Sequence, residues 1–195
     1  MSRVLVIVGH PDPRPQRLCR ALAQAYLAGA EQAGHAVRLV DVAVLDFPWL
    51  RSAEDFEHNG APESLSEAAQ AVVWAEHIVI VFPLWLGTMP ALLKAFLEQI
   101  LRPGTAFCRP DDISSFPKML LGGRTARVIV TMGMPSFLYQ FWFRAHGIAG
   151  LRRNILNFVG IKPVRETLFG LVDQGSDAKR RKWIGQVRKL GEAAA

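Results

Sequence analysis

Cysteine is scarce, with two in 195 residues. Cys19 and Cys108 stand far apart and in no C-x-x-C pattern. That argues against a disulfide framework and against a cysteine-based zinc site, and it favours a reducing, cytoplasmic setting. Long hydrophobic runs are missing too. The longest uncharged stretch, Ile78 to Leu93, falls short of a membrane span and contains Pro83, Gly87 and Pro90. The start, MSRVLVIVG, has one basic residue and reaches Gly9 at once, so it reads as a first strand and not as a signal peptide. No G-x-G-x-x-G follows that strand and no Walker motif occurs, so neither a dinucleotide Rossmann fingerprint nor a P-loop is supported. Repeats and low-complexity linkers are also lacking, and the length suits one domain over 1–195.

What is present in excess is positive charge, a net +6. Much of it lies near the C-terminus, in Lys179, Arg180, Arg181, Lys182, Arg188 and Lys189. Trp183, Ile184, Val187 and Leu190 recur there at helical spacing. The run is therefore read as the solvated face of an amphipathic helix. No nucleic-acid motif accompanies it, so a nucleic-acid partner is not expected.

Strand and helix patterns alternate along the chain. Strands are expected over Arg3–Val8, His35–Val40, His77–Phe82, Ala126–Met132 and Val164–Leu171. Helices are expected over Pro15–Ala33, Glu63–Ala75, Pro90–Leu101, Leu151–Val159 and Ser176–Gly191. Asp41–Pro62 is less regular, Arg102–Arg124 reads mainly as loop, and Phe137–Phe143 is aromatic-rich. Units of this kind build an α/β fold, a doubly wound parallel sheet with helices on both faces. With five strands the flavodoxin-like order 2-1-3-4-5 is the expected arrangement.

In that order the loops after strands one, three and four share one edge, where open α/β sheets bind ligands. Loop one, GHPDPRPQRL, leads into a helix N-terminus suited to a phosphate, with Arg14 and Arg17 able to add charge-assisted bonds. An ordinary βα turn is an equally good reading of that loop alone. Loop three, PLWLGTMP, is apolar and aromatic and suits a flat ring with a polar edge. Loop four runs from Thr131 to Gly147 and holds Tyr139 and His146. Read alone, these are a packed tyrosine and a partly exposed loop histidine.

GHPDP, FPLWLGTMPALLKAFLEQIL, PGTAF at 103–107, TMGMP and ILNFVGIKPV together give the chain a clear resemblance. It resembles the NAD(P)H:quinone oxidoreductases of the flavodoxin-like fold, which include modulator-of-drug-activity proteins and ancillary subunits of potassium-efflux systems. The likeness runs from Val4 to about Val172. It implies non-covalent FMN or FAD, NADH or NADPH as electron donor, a quinone-type acceptor, and a homodimer with its site at the subunit interface. His10, Gln16, Arg17 and Leu18 match the phosphate site. Pro83, Leu84, Trp85, Leu86 and Gly87 match the ring site, and Thr131, Met132 and Gly133 match the segment beside the ring's pyrimidine edge. Tyr139 and His146 match residues that stabilise negative charge on the reduced flavin. No metal is implied.

The chain departs from the family twice. Pro15 stands where a Ser or Thr hydroxyl usually meets the flavin phosphate, and proline also lacks an amide donor. Arg14 and Arg17 are the candidates to compensate. Met134 replaces the second glycine of the loop-four Gly-Gly and narrows the ring site or the substrate pocket. The aromatic surplus Phe137, Phe141, Trp142 and Phe143 exceeds what a single core accommodates and is read as a contact between copies, with a roof over the flavin pocket as the competing reading. Two other readings compete: a flavin-binding regulatory partner docked peripherally on a membrane transporter, and a fold relative that has lost flavin.

Overall fold

The computed structural model describes residues 1–108 and 117–194. Its main sheet is all parallel, in the order β2-β1-β3-β6-β7: β2 (Ala36–Asp41), β1 (Arg3–Val8), β3 (His77–Pro83), β6 (Thr125–Thr131) and β7 (Val164–Phe169). Counted within the sheet this is 2-1-3-4-5, the flavodoxin-like arrangement. The cause is visible in the strand sequences. β3 is buried at every residue, and Val4–Val8 and Ala126–Thr131 are buried as well. Strands covered on both faces need continuous apolar runs, not alternation.

Successive side chains divide these strands between two cores. Leu5, Ile7, Ile78, Ile80, Phe82, Val128 and Val130 pack under α3 (Ser66–Trp74) and α4 (Ala91–Ile100). Val4, Val6, Val8, Val79, Val81 and Ile129 pack under α1 (Leu18–Gln32) and α7 (Asp177–Glu192). Trp183 and Val187 of α7 are buried while its basic residues Arg181, Lys182, Arg188 and Lys189 face solvent, as a solvated helix face requires.

The structure departs from the sequence expectations where loops were expected. α1 starts at Leu18 and not at Pro15, because Pro15 and Gln16 form a turn, closed by the Arg17 amide donating to the Arg14 carbonyl at 3.3 Å. The irregular 41–62 segment contains a 3-10 turn, Val42–Val44, and a short helix, α2 (Ala53–His58), capped by the Ser52 hydroxyl accepting from the Asp55 amide at 3.0 Å. Arg102, buried, holds α2 down by donating to the Asp55 carbonyl at 2.7 Å and the Asn59 carbonyl at 3.3 Å. Within the expected 102–124 loop, β4 (Phe107–Cys108) and β5 (Lys118–Met119) form a small antiparallel pair, and its middle, 109–116, lies outside the described residues. The aromatic segment folds as α5 (Ser136–Phe141), and α6 (His146–Gly150) runs straight into a π-helical turn over Leu151–Leu156.

α1 and α7 touch backbone to backbone. A Cβ on Gly29 would sit 2.0 Å from the Arg188 carbonyl oxygen, and one on Gly191 would sit 2.1 Å from that of Tyr26. Only glycine permits this approach, and it sets how closely the C-terminal halves of the two helices cross. Gly191→Ala must push the helices apart. We expect it to lower stability by about 1–3 kcal/mol in thermal or denaturant unfolding; an unchanged midpoint would mean that the crossing has slack.

Candidate functional site

The site is built on the C-terminal edge of the sheet by backbone bonds that prolong the strand ladders into the loops. The Gly9 amide donates to the Val81 carbonyl at 2.8 Å, that of Leu84 to Thr131 at 2.8 Å, and that of Met132 to Phe169 at 2.9 Å. Between these loops lies a cleft of about 510 Å³. It brings together His10, Gln16, Arg17, Leu18, Pro83, Leu84, Trp85, Thr131, Met132 and Gly133, all expected from the sequence. It also takes in Cys19, Val172, Asp173 and Arg180, which the sequence reading did not name. The signal for the last three was topological, since strand five borders strand four and its loop falls on the same edge.

One wall is polar. The Arg17 Nε donates to the Asp12 carboxylate at 2.7 Å. Asp12 also takes the Arg14 guanidinium at 2.6 Å, and these guanidinium bonds hold its carboxyl far below the usual carboxylate range. The Asp12 amide donates to His10 Nδ1 at 3.0 Å, which leaves the imidazole proton on Nε2. Burial, then the neighbouring Arg17, pushes the His10 pKa down, so the ring is neutral at neutral pH. His10 meets the Trp85 ring edge-on, with centroids 6.0 Å apart. α1 begins here, with Arg17 at its N-cap position and no side chain capping its first-turn amides.

The other wall is apolar, formed by Leu84, Trp85 and Met132. A Cβ on Gly133 would lie 2.7 Å from the Asp173 carboxylate, so the Asp173 side chain reaches across to this loop. Cys19 on the floor meets the Thr131 hydroxyl at 3.2 Å, and burial pushes its thiol up to about 12, which leaves it an inert packing group.

The other expected residues lie elsewhere. Arg14 points to solvent on its pair with Asp12. Leu86 and His146 line a second, apolar groove of about 760 Å³ on the far side of Trp85, together with Met89, Leu151 and Ile155. Trp85 borders both cavities. Leu86 and Gly87 form a tight turn with φ of 48° and 80°, closed by the Trp85 and Thr88 amides donating to each other's carbonyls at 2.9 and 3.0 Å. The Thr88 amide is therefore spent within the turn.

Tyr139 is buried, and its hydroxyl donates to the Gly87 carbonyl at 2.9 Å while accepting from the Ile148 amide at 3.3 Å. Burial pushes its pKa up. In this structure Tyr139 braces the turn that carries Trp85. Among the described residues no cluster of acidic, histidine and cysteine side chains could hold a metal ion.

The chain matches the Flavodoxin_2 family, described as having a flavodoxin-like fold, over residues 2–190. It is 27% identical over 178 residues to a ribosyldihydronicotinamide dehydrogenase-like protein of Penicillium crustosum, covering 79% of this chain and 64% of that protein. It thus spans less than two thirds of that relative's length. It is 28% identical over 178 residues to FMN-dependent NADH:quinone oxidoreductase 2 of Pseudomonas fluorescens, covering 84% of this chain and 85% of the relative. The solved NAD(P)H:quinone oxidoreductase from Methanothermobacter marburgensis superposes with a TM-score of 0.81 at 21% identity, covering 100% of this chain and 99% of that one. At that identity it speaks for the fold alone.

Tyr139→Phe should strand the Gly87 carbonyl and the Ile148 amide. We expect a loss of about 1–2 kcal/mol in stability and faster hydrogen exchange in the 85–88 turn. Unchanged exchange there would show that the turn holds itself.

Proposed function

The chain belongs to the Flavodoxin_2, flavodoxin-like family, and on that premise we propose that it is a flavin-dependent NAD(P)H dehydrogenase that passes two electrons to quinones or related acceptors. The observation that carries the reading is the cleft. Its volume of about 510 Å³ lies within the range of cofactor sites. It joins an uncapped helix N-terminus and the Arg17 guanidinium at one end to a flat, apolar wall at the other, which is the polarity of a phosphorylated ring compound. The residues therefore fit a flavin. A bound flavin supplies the hydride and electron chemistry between reduced nicotinamide and acceptor.

The chain's own residues bind, orient and exclude water. The first-turn amides of α1 and Arg17 hold the phosphate in place of the hydroxyl that Pro15 lacks. Trp85 and Leu84 pack the ring, and the neutral His10 offers its Nε2 proton as a donor. Among flavins we propose FMN, which the Pseudomonas fluorescens relative names as its cofactor. The donor is NADH or NADPH. Nicotinamide and acceptor stack in turn over the exposed face of the ring, the acceptor reaching it from the mouth of the apolar groove that Trp85 borders, with His146 the donor to the developing charge there and Tyr139 a positioning residue behind the turn. The groove continues toward Leu97, Leu101, Phe107 and Phe158 through Lys94, Asn154 and Ile155, and we propose that a second copy covers this extension to make a cytoplasmic homodimer.

The purified protein tests the reading directly. It should carry flavin absorbance bands or take up FMN, oxidise NADH or NADPH, and reduce a benzoquinone, and His146→Ala should slow that reduction by about tenfold or more. A colourless protein that neither binds FMN or FAD nor oxidises reduced nicotinamide would overturn it.

A further inference from the structure

The stretch 137–144 turns its largest apolar side chains outward. Phe141 is 80% and Trp142 77% exposed, and Phe137, Leu138 and Phe143 are exposed beside them. Tyr139 alone points inward. These rings line neither the cleft nor the groove, so they form a projecting crest and not a pocket. The crest is firmly seated. Tyr139 ties it to the Gly87 carbonyl, and Gly147 packs so close to Gly87 and Thr88 that a Cβ would stand 2.2 Å from the Gly87 oxygen. Leu86, fully exposed on that same turn, extends the apolar surface to the mouth of the groove.

An exposed Phe-Trp-Phe run followed by an exposed Arg144 has the composition of a membrane-interface anchor, aromatic at the headgroup level with a cation beside it. The chain's net charge is +6. An anionic lipid surface attracts a chain of that charge. A concave apolar groove suits a second copy, and a convex aromatic crest suits the soft boundary of a bilayer. We propose that this crest docks the protein on anionic phospholipid surfaces and so presents the mouth of the groove to the bilayer, where apolar quinones partition. The link to quinones rests on the function proposed above; the docking does not.

Sedimentation of the whole protein with phosphatidylglycerol-containing vesicles tests it, with pure phosphatidylcholine vesicles alongside. Neither flavin turnover nor quinone enters the readout, so its failure would leave the enzymatic reading standing. The wild type should pellet with the anionic vesicles, less so in high salt. The double variant Phe141→Ser/Trp142→Ser, which removes only exposed rings, should bind about tenfold more weakly or worse. Light scattering without lipid should give both proteins the same mass. Three results would overturn the proposal: no pelleting of the wild type, equal pelleting of the variant, or a fall in mass on substitution, which would make the crest a contact between copies.

Discussion

β3 is the constraint on which the rest depends. It is buried at every residue and paired in parallel on both sides, with β1 and β6. A strand so placed leaves its last polar backbone groups inside the molecule, and buried amides and carbonyls must find partners. Gly9 supplies one by donating to the Val81 carbonyl, and Leu84, just past β3, donates to Thr131, while Met132 repeats the pattern between β6 and β7. The loops that surround the cleft are therefore continuations of the sheet's own hydrogen bonding. That anchoring gives a site made of loops the rigidity that positioned chemistry requires.

Trp85 divides the edge into two environments. On one side lie His10 and the Asp12–Arg17 pair, and on the other a groove of apolar side chains. Holding Trp85 there has a cost. Leu86 sits at φ 48°, and Arg144 and Ala145 also adopt left-handed backbone, at roughly 1–2 kcal/mol for each non-glycine residue. The Tyr139 hydroxyl bond and the closed 85–88 turn offset that strain. Strained backbone gathered beside a cleft and braced from behind is the pattern of a functional site.

Much of this was legible in the sequence. The apolar runs of β1, β3 and β6 announced a parallel sheet, and the Pro83–Pro90 interval announced the loop that carries Trp85. Most of the cleft residues followed from the family resemblance, and the strand order accounts for why their three loops share one edge. What escaped did so for physical reasons. α2 has a serine cap but little apolar periodicity, because it is held by Arg102 from outside its own segment. Asp173 and Arg180 enter the cleft from the loop after β7 and the start of α7, and no local pattern in the sequence marks them for it. The hydroxyl of Tyr139 was read as a donor to a ligand, whereas its partner here is a carbonyl of the neighbouring loop, a pairing no local pattern encodes.

The central claim is that the cleft between the loops after β1, β3 and β6 is the flavin site. Hydrogen exchange of the flavin-free protein with and without FMN tests it most directly. The account predicts added protection at the first turn of α1 from Leu18, in the 84–88 turn, and at Met132–Gly133, with α2 and α3 unchanged. Protection confined to other elements, or no protection at FMN concentrations that saturate binding, would contradict it.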